Sequence, residues 1–248
     1  MTDGRTRNGG QLLMDSLVAL GATRGFGVPG ESYLAVLDAM VDHANAFDLV
    51  LCRQEGGAAY MAAAWGKLTG EPGLCFVTRG PGATNATVGI HTAMQDSVPM
   101  ILFVGQVGTD VMGREAFQEV DYTAFFGPLA KWAVQIDHVD RVPEIISRAW
   151  TVAMSGRPGP VVVALPEDML VGTSDRLPCD PVTIPEPAVP EAGAARMAAM
   201  LAAAERPVML VGGTRWTAGS ARALESFAAA NDVPVVAAFR FHDIIDNH

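Results

Sequence analysis

The sequence has few cysteines, no long hydrophobic run and no export signal. Its three cysteines, Cys52, Cys75 and Cys179, are odd in number and never form a C-x-x-C pair, which predicts free thiols without disulfides or zinc. No apolar run approaches the ~18 residues of a membrane span. The first twenty residues lack a basic segment followed by an apolar stretch and a cleavage site. These absences predict a soluble cytoplasmic protein with no membrane partner.

Positive charge is also scarce. The chain carries 17 Lys and Arg against 27 Asp and Glu, a formal net charge of -10, and its arginines are spread singly along the chain. Because no basic stripe is present to neutralise phosphates, the composition argues against a nucleic-acid partner. What the 248 residues do have is apolar material: 50% are hydrophobic, which excludes disorder and allows more than one packed domain.

Helix-length and strand-length segments alternate almost throughout the chain. Short apolar strands separated by helices indicate a parallel sheet covered on both faces, so residues 1–171 are predicted to form a doubly wound α/β domain. The predicted helices cover 11–20, 32–43, 56–69, 83–95 and 140–154, and the predicted strands cover 25–30 (running into a turn), 47–51, 74–78, 100–104 and 161–165.

Residues 172–191 interrupt this alternation. Five prolines in these twenty residues predict an extended, stiff linker. Beyond it, helices over 192–204 and 218–230 and strands over 208–211 and 233–238 predict half of a Rossmann-like domain, with a sheet edge that needs covering. The truncated second domain leaves two hypotheses open, a fragment of a longer chain and a natural split subunit. The fragment is favoured because a natural subunit should end at a domain boundary.

Three strand-to-helix junctions of the first domain are rich in glycine and proline. We call them the first corner (28–31), the second corner (54–57) and the third corner (78–85). Because all three follow predicted parallel strands, they are expected to lie at the carboxyl edge of the sheet, where open α/β folds bind ligands. The third corner matches neither a P-loop nor a dinucleotide fingerprint, and its Pro81 removes a backbone donor. A nucleotide-binding protein is therefore the least favoured function.

Glu55 is the candidate functional residue of the second corner. The residues alone leave two interpretations, of which the more frequent is a carboxylate placed favourably at a helix N-terminus. The other is a partly buried acid that shares a proton with a heterocycle nitrogen. Taken by themselves, residues 117–119 predict the solvated start of a helix. The histidines lack ligand spacing, so no metal site is predicted in this chain.

Five sequence blocks in the same order resemble the amino-terminal part of the thiamine-diphosphate enzymes of the acetolactate synthase type. The blocks are RQEGGAAYMA (53–62), TRGPGATN (78–85), GQV (105–107), EAFQE (115–119) and the segment from SGRPGPV to LPED (155–168). The resemblance implies a pyrimidine-binding (PYR) domain over 1–171, a linker over 172–191 and part of a central domain over 192–248. It also implies decarboxylation or carboligation of a 2-oxo acid substrate.

The resemblance further implies what this chain lacks. The family holds Mg²⁺ and the diphosphate of thiamine diphosphate on a separate carboxy-terminal (PP) domain through a Gly-Asp-Gly motif, which is absent here. In the family the cofactor lies between the PYR domain of one subunit and the PP domain of another. The implied partners are therefore a second subunit, in a homo-oligomer that is at least a dimer, and a PP domain of the same longer chain or of a partner. This chain alone is expected to be inactive.

Residue roles follow from the same resemblance. Glu55 matches the glutamate that binds N1′ of the cofactor's aminopyrimidine, where its proton favours the imino tautomer whose 4′ nitrogen deprotonates C2. Phe117 and Gln118 match a substrate-side pair, with Gln118 as a second catalytic residue. Arg157 matches an arginine that contacts FAD where FAD is bound. Positions that match turns lining the pyrimidine pocket are Pro29, Gly30, Pro81 and Asn85.

Four positions depart from the acetolactate synthase pattern. Glu31 stands where a second glycine is usual, Val28 where an aromatic residue is frequent, Arg79 where a small serine is common, and Glu167 where a lysine is frequent. All four border the implied pocket, so the resemblance does not identify the substrate. The alternative hypothesis is a non-catalytic binding or regulatory module that kept the fold and lost the chemistry.

Overall fold

The computed structural model describes residues 4–246, which form two compact units that divide between Ile184 and Pro185. The predicted outer bounds of the two domains, residues 1 and 248, lie outside the described residues. The strands of the first unit are β1 (Arg7–Asn8), β2 (Arg24–Gly27), β3 (Asp48–Leu51), β4 (Gly73–Val77), β5 (Met100–Gln106), β6 (Trp132–Gln135), β7 (Pro160–Pro166) and β8 (Thr173–Ser174). Its helices are α1 (Gly9–Ala19), α2 (Leu34–Asp42), α3 (Glu55–Thr69), α4 (Pro81–Asp96), α5 (Tyr122–Phe126), α6 (Val142–Met154) and α7 (Glu167–Val171).

A six-stranded parallel sheet forms the centre of the first unit. Its strand order is β3-β2-β4-β5-β7-β6, and every neighbouring pair runs parallel. The short strands β1 and β8 form a separate antiparallel pair. Helices cover both faces of the sheet, which confirms the predicted doubly wound α/β fold.

The two faces of the sheet bury different sets of side chains because residues alternate along a strand. In β4, Leu74 and Phe76 belong to the core shared with α1, α2 and α6, whereas Cys75 and Val77 belong to the core shared with α3, α4 and α5. Phe76 stacks on Phe103 of the next strand, with ring centroids 4.9 Å apart. Each strand thus contributes to two cores, which explains why its sequence is continuously apolar.

The structure differs from the prediction between residues 107 and 135. Residues 117–119 are not a helix start, because Gln118 has a φ of +64° and the chain there forms a turn. Helix α5 begins later, at Tyr122, where the carboxylate of Asp121 accepts hydrogen bonds from the N–H groups of Thr123 and Ala124, each at 3.0 Å. Strand β6 was not predicted, since its residues lie at the sheet edge and are only half-buried.

Residues 185–246, the described part of the second unit, contain two α-helices and two parallel strands. They are α8 (Glu191–Ala203), β9 (Met209–Val211), α9 (Ala218–Asn231) and β10 (Val235–Ala237), with Val235 paired to Met209. Residues 175–190, which precede α8, contain neither helix nor strand. Leu210 and Val236 on the two strands are 73% and 51% exposed, so this small sheet has an apolar face with no cover among residues 185–246.

None of the helices formed by residues 4–246 is long and apolar enough to cross a membrane.

Candidate functional site

The three corners follow β2, β3 and β4 at the carboxyl edge of the sheet. The chain passes from β2 to β3 on one side and then to β4 on the other side of β2, so the crevice between β2 and β4 is a topological switch point. The first and third corners touch there. A Cβ added at Gly30 would lie 2.4 Å from the Cβ of Thr78, and the hydroxyls of Ser32 and Thr78 are 2.9 Å apart.

Glu55 is the first residue of α3 and is half-buried. The side chain of Gln54 caps this helix by accepting a hydrogen bond from the N–H of Gly57 at 2.8 Å. Asn85 Nδ2, on the first turns of α4, donates to Glu55 Oε2 at 2.9 Å. Within residues 4–246 nothing donates a hydrogen bond to Glu55 Oε1, which lies beside Gly82. One carboxyl oxygen is therefore held in place and the other is available to a ligand.

The third corner contacts the other parts of the site. The φ of Gly80 is +61°, and a Cβ at Gly80 would lie 2.7 Å from the Cβ of Gln118, so only glycine fits against this part of the 107–121 loop. The N–H of Gly80 donates to Tyr122 Oη at 2.7 Å. Residues 78–82 thus contact the first corner, the 107–121 loop and the surroundings of Glu55 in one continuous run.

The 107–121 loop is held by carboxylates that accept backbone hydrogen bonds. Glu119 accepts from the N–H groups of Gly113 at 2.5 Å and Ala116 at 3.0 Å, and these bonds lower the pKa of its carboxyl. Burial raises the pKa of Asp168, but hydrogen bonds from the hydroxyl and the N–H of Thr109 outweigh it, and the net shift is downward. Both carboxylates are therefore ionised at neutral pH.

Two buried groups near Glu55 are held in their neutral forms. The pKa of the Tyr33 hydroxyl is raised mainly by burial and to a smaller extent by the nearby Cys75 and Glu55. This hydroxyl donates to the carbonyl of Val28 at 2.6 Å. The pKa of the Cys75 thiol is likewise raised mainly by burial, with smaller contributions from the charges of Cys52 and Glu55. Neither group therefore supplies a base at neutral pH.

The structure brings most of the predicted site residues to one edge. Gly30, Glu55, Asn85 and Gln118 lie around the third corner through the contacts above. The other predicted residues of this edge are exposed, namely Pro29, Pro81 and the side chain of Phe117. Tyr122 was not predicted as part of the site, because its partner Gly80 is 42 positions away and no local pattern links them.

Arg157 lies apart from this group. It precedes β7, and its Nε donates to Ser97 Oγ at 2.6 Å while Nη2 donates to the carbonyl of Met94 at 3.0 Å. These partners end α4, which runs from the carboxyl edge of the sheet to the opposite, amino edge. The guanidinium therefore satisfies carbonyl groups at the C-terminus of a helix.

Replacing Arg157 with alanine is expected to lower the free energy of unfolding by about 1 kcal/mol, because the end of α4 loses charged hydrogen-bond donors. Urea denaturation followed by circular dichroism measures this change. Arg114→Ala is the matched control, since Arg114 is exposed in the 107–121 loop. Equal stabilities of the two variants would contradict a capping role for Arg157.

No group of three or more His, Cys, Asp or Glu side chains in the part of the chain from residue 4 to residue 246 is arranged to hold a metal ion.

Comparison with known proteins gives a consistent result. The family model "Thiamine pyrophosphate enzyme, N-terminal TPP binding domain" matches residues 7–125, and the model "Thiamine pyrophosphate enzyme, central domain" matches residues 194–248. The chain is 37% identical over 227 residues to the acetolactate synthase isozyme 2 large subunit of Escherichia coli (strain K12), an alignment that covers 92% of this chain and 41% of that relative.

Two further relatives extend the comparison. The acetolactate synthase large subunit of Lactococcus lactis is 35% identical over 235 residues, which cover 92% of this chain and 40% of the relative. The mitochondrial acetolactate synthase catalytic subunit of Saccharomyces cerevisiae is 40% identical over 161 residues, which cover 65% of this chain and 23% of the relative. The chain thus spans at most 41% of the length of these relatives. The matches confirm the family predicted from the motifs: the chain belongs to the thiamine pyrophosphate enzymes.

Proposed function

We propose that the protein supplies the pyrimidine-binding half of a thiamine-diphosphate site that decarboxylates a 2-oxo acid and transfers the remaining fragment to an acceptor. The observation that carries this proposal is the arrangement of Glu55. One of its carboxyl oxygens accepts from Asn85, and the other is free at the carboxyl edge of the sheet beside the third corner.

The residues present fit an aminopyrimidine. A ring nitrogen such as N1′ needs one donor at short range, and a protonated Glu55 offers one at Oε1 while Oε2 remains the acceptor for Asn85. Glycines at 30, 80 and 82 let the parts of this site approach one another closely, because a Cβ at Gly30 or Gly82 would collide with Thr78 and one at Gly80 with Gln118.

Glu55 carries the chemistry that this chain contributes. When bound, thiamine diphosphate supplies a carbon nucleophile and an electron sink for the decarboxylation of 2-oxo acids. Glu55 holds a proton at Oε1 and shares it with N1′, which is general acid–base catalysis by a positioned carboxyl group. Asn85 keeps the carboxyl group from rotating, so the proton stays directed toward the ligand.

Phe117 and Gln118 are proposed to meet the substrate. Phe117 is 76% exposed, which leaves its ring available for contact, and Gln118 is set against Gly80 of the third corner. An amide and an aromatic ring beside the third corner suit a small polar acid with an apolar side chain. We assign Gln118 the role of a second catalytic residue that hydrogen-bonds the reacting oxygen atoms.

The remaining part of the cofactor is proposed to be held by a PP domain of the same longer chain or of a partner. That domain would bind the diphosphate through Mg²⁺, whose preferred ligands are oxygens. FAD is a weaker proposal, because the Nε and Nη2 groups of Arg157 already bond to residues at the end of α4. A flavin contact by Arg157 would have to use its Nη1 group.

We propose that the assembled enzyme is at least a homodimer. The outer surfaces of α3 and α4 support this, since they expose Tyr60, Met61, Leu68 and Val88, of which Tyr60 and Met61 lie within two turns of Glu55 on α3. Large apolar side chains grouped on one surface are typical of protein interfaces. A second subunit on this surface would bring its own PP domain toward Glu55. The proposed location of the enzyme is the cytoplasm, where its cysteines remain reduced.

The decisive experiment measures 2-oxo acid consumption in the presence of Mg²⁺ and thiamine diphosphate. Residues 1–248 alone are expected to show no turnover, and addition of a PP domain, in the same chain or as a separate one, is expected to restore it. Absence of consumption in every combination would overturn the proposal. If the cofactor bound equally well to wild type and Glu55→Gln with no reaction in either, the non-catalytic binding module would be favoured.

A further inference from the structure

The ion pair between Arg79 and Glu167 lies next to the site and has no role in the function proposed above. Arg79 Nη1 donates to Glu167 Oε1, and the side chain of Arg79 is 12% exposed against 43% for Glu167. Arg79 belongs to the third corner, and Glu167 begins α7 directly after β7. The pair therefore links two strand ends that are separated in the sheet by β5.

Arg79 also holds the 107–121 loop at its substrate side. Its Nε donates to the carbonyl of Phe117 at 3.2 Å, and its own N–H donates to Ser32 Oγ at 3.2 Å. The exposed ring of Phe117 cannot fix this part of the loop by packing. The bond from Arg79, together with the contact between Gly80 and Gln118, sets the position of the two residues.

The loop needs such a restraint because its backbone is locally unfavourable. Glu115 and Gln118 have φ values of +55° and +64°, a conformation that residues with a Cβ rarely adopt. Backbone conformations of this kind persist only when surrounding contacts hold them. Glu167 orients the guanidinium so that Nε points to the loop, because a planar guanidinium that is bound at Nη1 can rotate little.

We propose that Arg79, oriented by Glu167, is a positioning residue that fixes Phe117 and Gln118 against the third corner and thereby sets the affinity for the 2-oxo acid. The proposal rests on the proposed function, because it needs Phe117 and Gln118 to meet the substrate. Arg79 borders the implied pocket, but its side chain bonds to the backbone of Phe117 and to Glu167, whereas the side chain that holds Glu55 is Asn85. Its loss should therefore change substrate affinity much more than cofactor affinity.

The test compares Arg79→Met with Arg114→Met in the chain combined with a PP domain, which the proposed activity requires. Arg114 is an exposed arginine of the same loop whose side chain takes no part in these contacts, so it is the matched control. Arg79→Met is expected to raise KM for the 2-oxo acid about tenfold and to lower kcat by a smaller factor, because Gln118 is displaced, with the Kd of thiamine diphosphate unchanged. Arg79→Lys keeps the charge but not the planar guanidinium, and we expect its KM to lie between those of wild type and Arg79→Met.

Hydrogen exchange separates this proposal from the proposed function. The N–H groups of Gly113, Ala116 and Glu119 are bonded within the loop, and we expect them to exchange about tenfold faster in Arg79→Met than in wild type or Arg114→Met. Equal exchange, or an unchanged KM, would overturn the proposal. Absence of turnover by the wild-type chain in every combination with a PP domain would overturn the proposed function, whereas the exchange comparison would still decide whether Arg79 holds the loop. If Arg79→Met does not fold, Arg79→Lys carries the same comparison.

Discussion

Glu55→Gln is expected to lower the turnover of the 2-oxo acid about 10²- to 10⁴-fold, the usual contribution of a positioned general acid or base. Glutamine keeps the shape of the side chain and an oxygen that accepts from Asn85, but its amide has no acidic proton to transfer to a ring nitrogen. Because Glu55 is the first residue of α3, the amide also leaves the helix itself intact. The free energy of unfolding should therefore change by less than about 1 kcal/mol.

The control for this prediction lies at the other end of the same helix. Glu71 is an exposed carboxylate just beyond the end of α3, and Glu71→Gln makes the same chemical change far from the corners. At saturating cofactor, the initial rate of 2-oxo acid consumption by Glu71→Gln should equal that of wild type, whereas the rate of Glu55→Gln should be lower. If Glu55→Gln kept its activity to within about threefold, Glu55 would not be the proton donor, and general acid–base catalysis at this corner would be ruled out.

The same glycine-to-alanine change should have opposite effects at two positions of α3. A Cβ at Gly66 would lie 2.2 Å from the carbonyl oxygen of Pro99 and 2.9 Å from Cγ1 of Val98, and a backbone carbonyl cannot move aside. Gly66→Ala is therefore expected to lower the free energy of unfolding by about 2–3 kcal/mol through overpacking. At Gly57 the nearest atom is 3.9 Å away, so alanine there should stabilise the helix by about 0.5 kcal/mol.

Urea denaturation of the two variants and wild type, at one protein concentration, measures both changes. Gly57→Ala is the control for Gly66→Ala, because both substitutions remove the flexibility of glycine from the same helix. A small effect at Gly66 would mean that α3 can shift away from residues 98 and 99. In that case Glu55 at the start of α3 would move as well, and the activity of Gly66→Ala should fall although its stability changes little.

Much of the fold was predictable because it depends on local pattern. The apolar runs 74–78, 100–104 and 161–165 correspond to β4, β5 and β7, with differences of one or two residues at their ends. Strands buried on both faces are continuously apolar, and this pattern is strong. Edge strand β6 and the five-residue helix α5 have only weak patterns, since β6 is half-buried and α5 depends on its cap at Asp121.

The candidate site was predictable only in part. The corners and Glu55 could be identified because they follow strands at one edge, and the motifs assigned them to a family that the comparisons confirm. Arg79 and Glu167 were recognised only as separate departures from the family pattern. Their pairing spans 88 positions of the chain, and no local rule connects residues so far apart.

By itself, the sequence determined the alternation of strands and helices, the glycine and proline corners and the family, because periodicity, turn chemistry and ordered motifs are properties of neighbouring residues. The tertiary structure alone decided which of these residues meet. It brought Gly30 to Thr78, Gln118 to Gly80 and Arg79 to Glu167, and it directed Arg157 to the far end of α4. Such contacts depend on strand order and on the path of the 107–121 loop, and both are set by packing between distant segments.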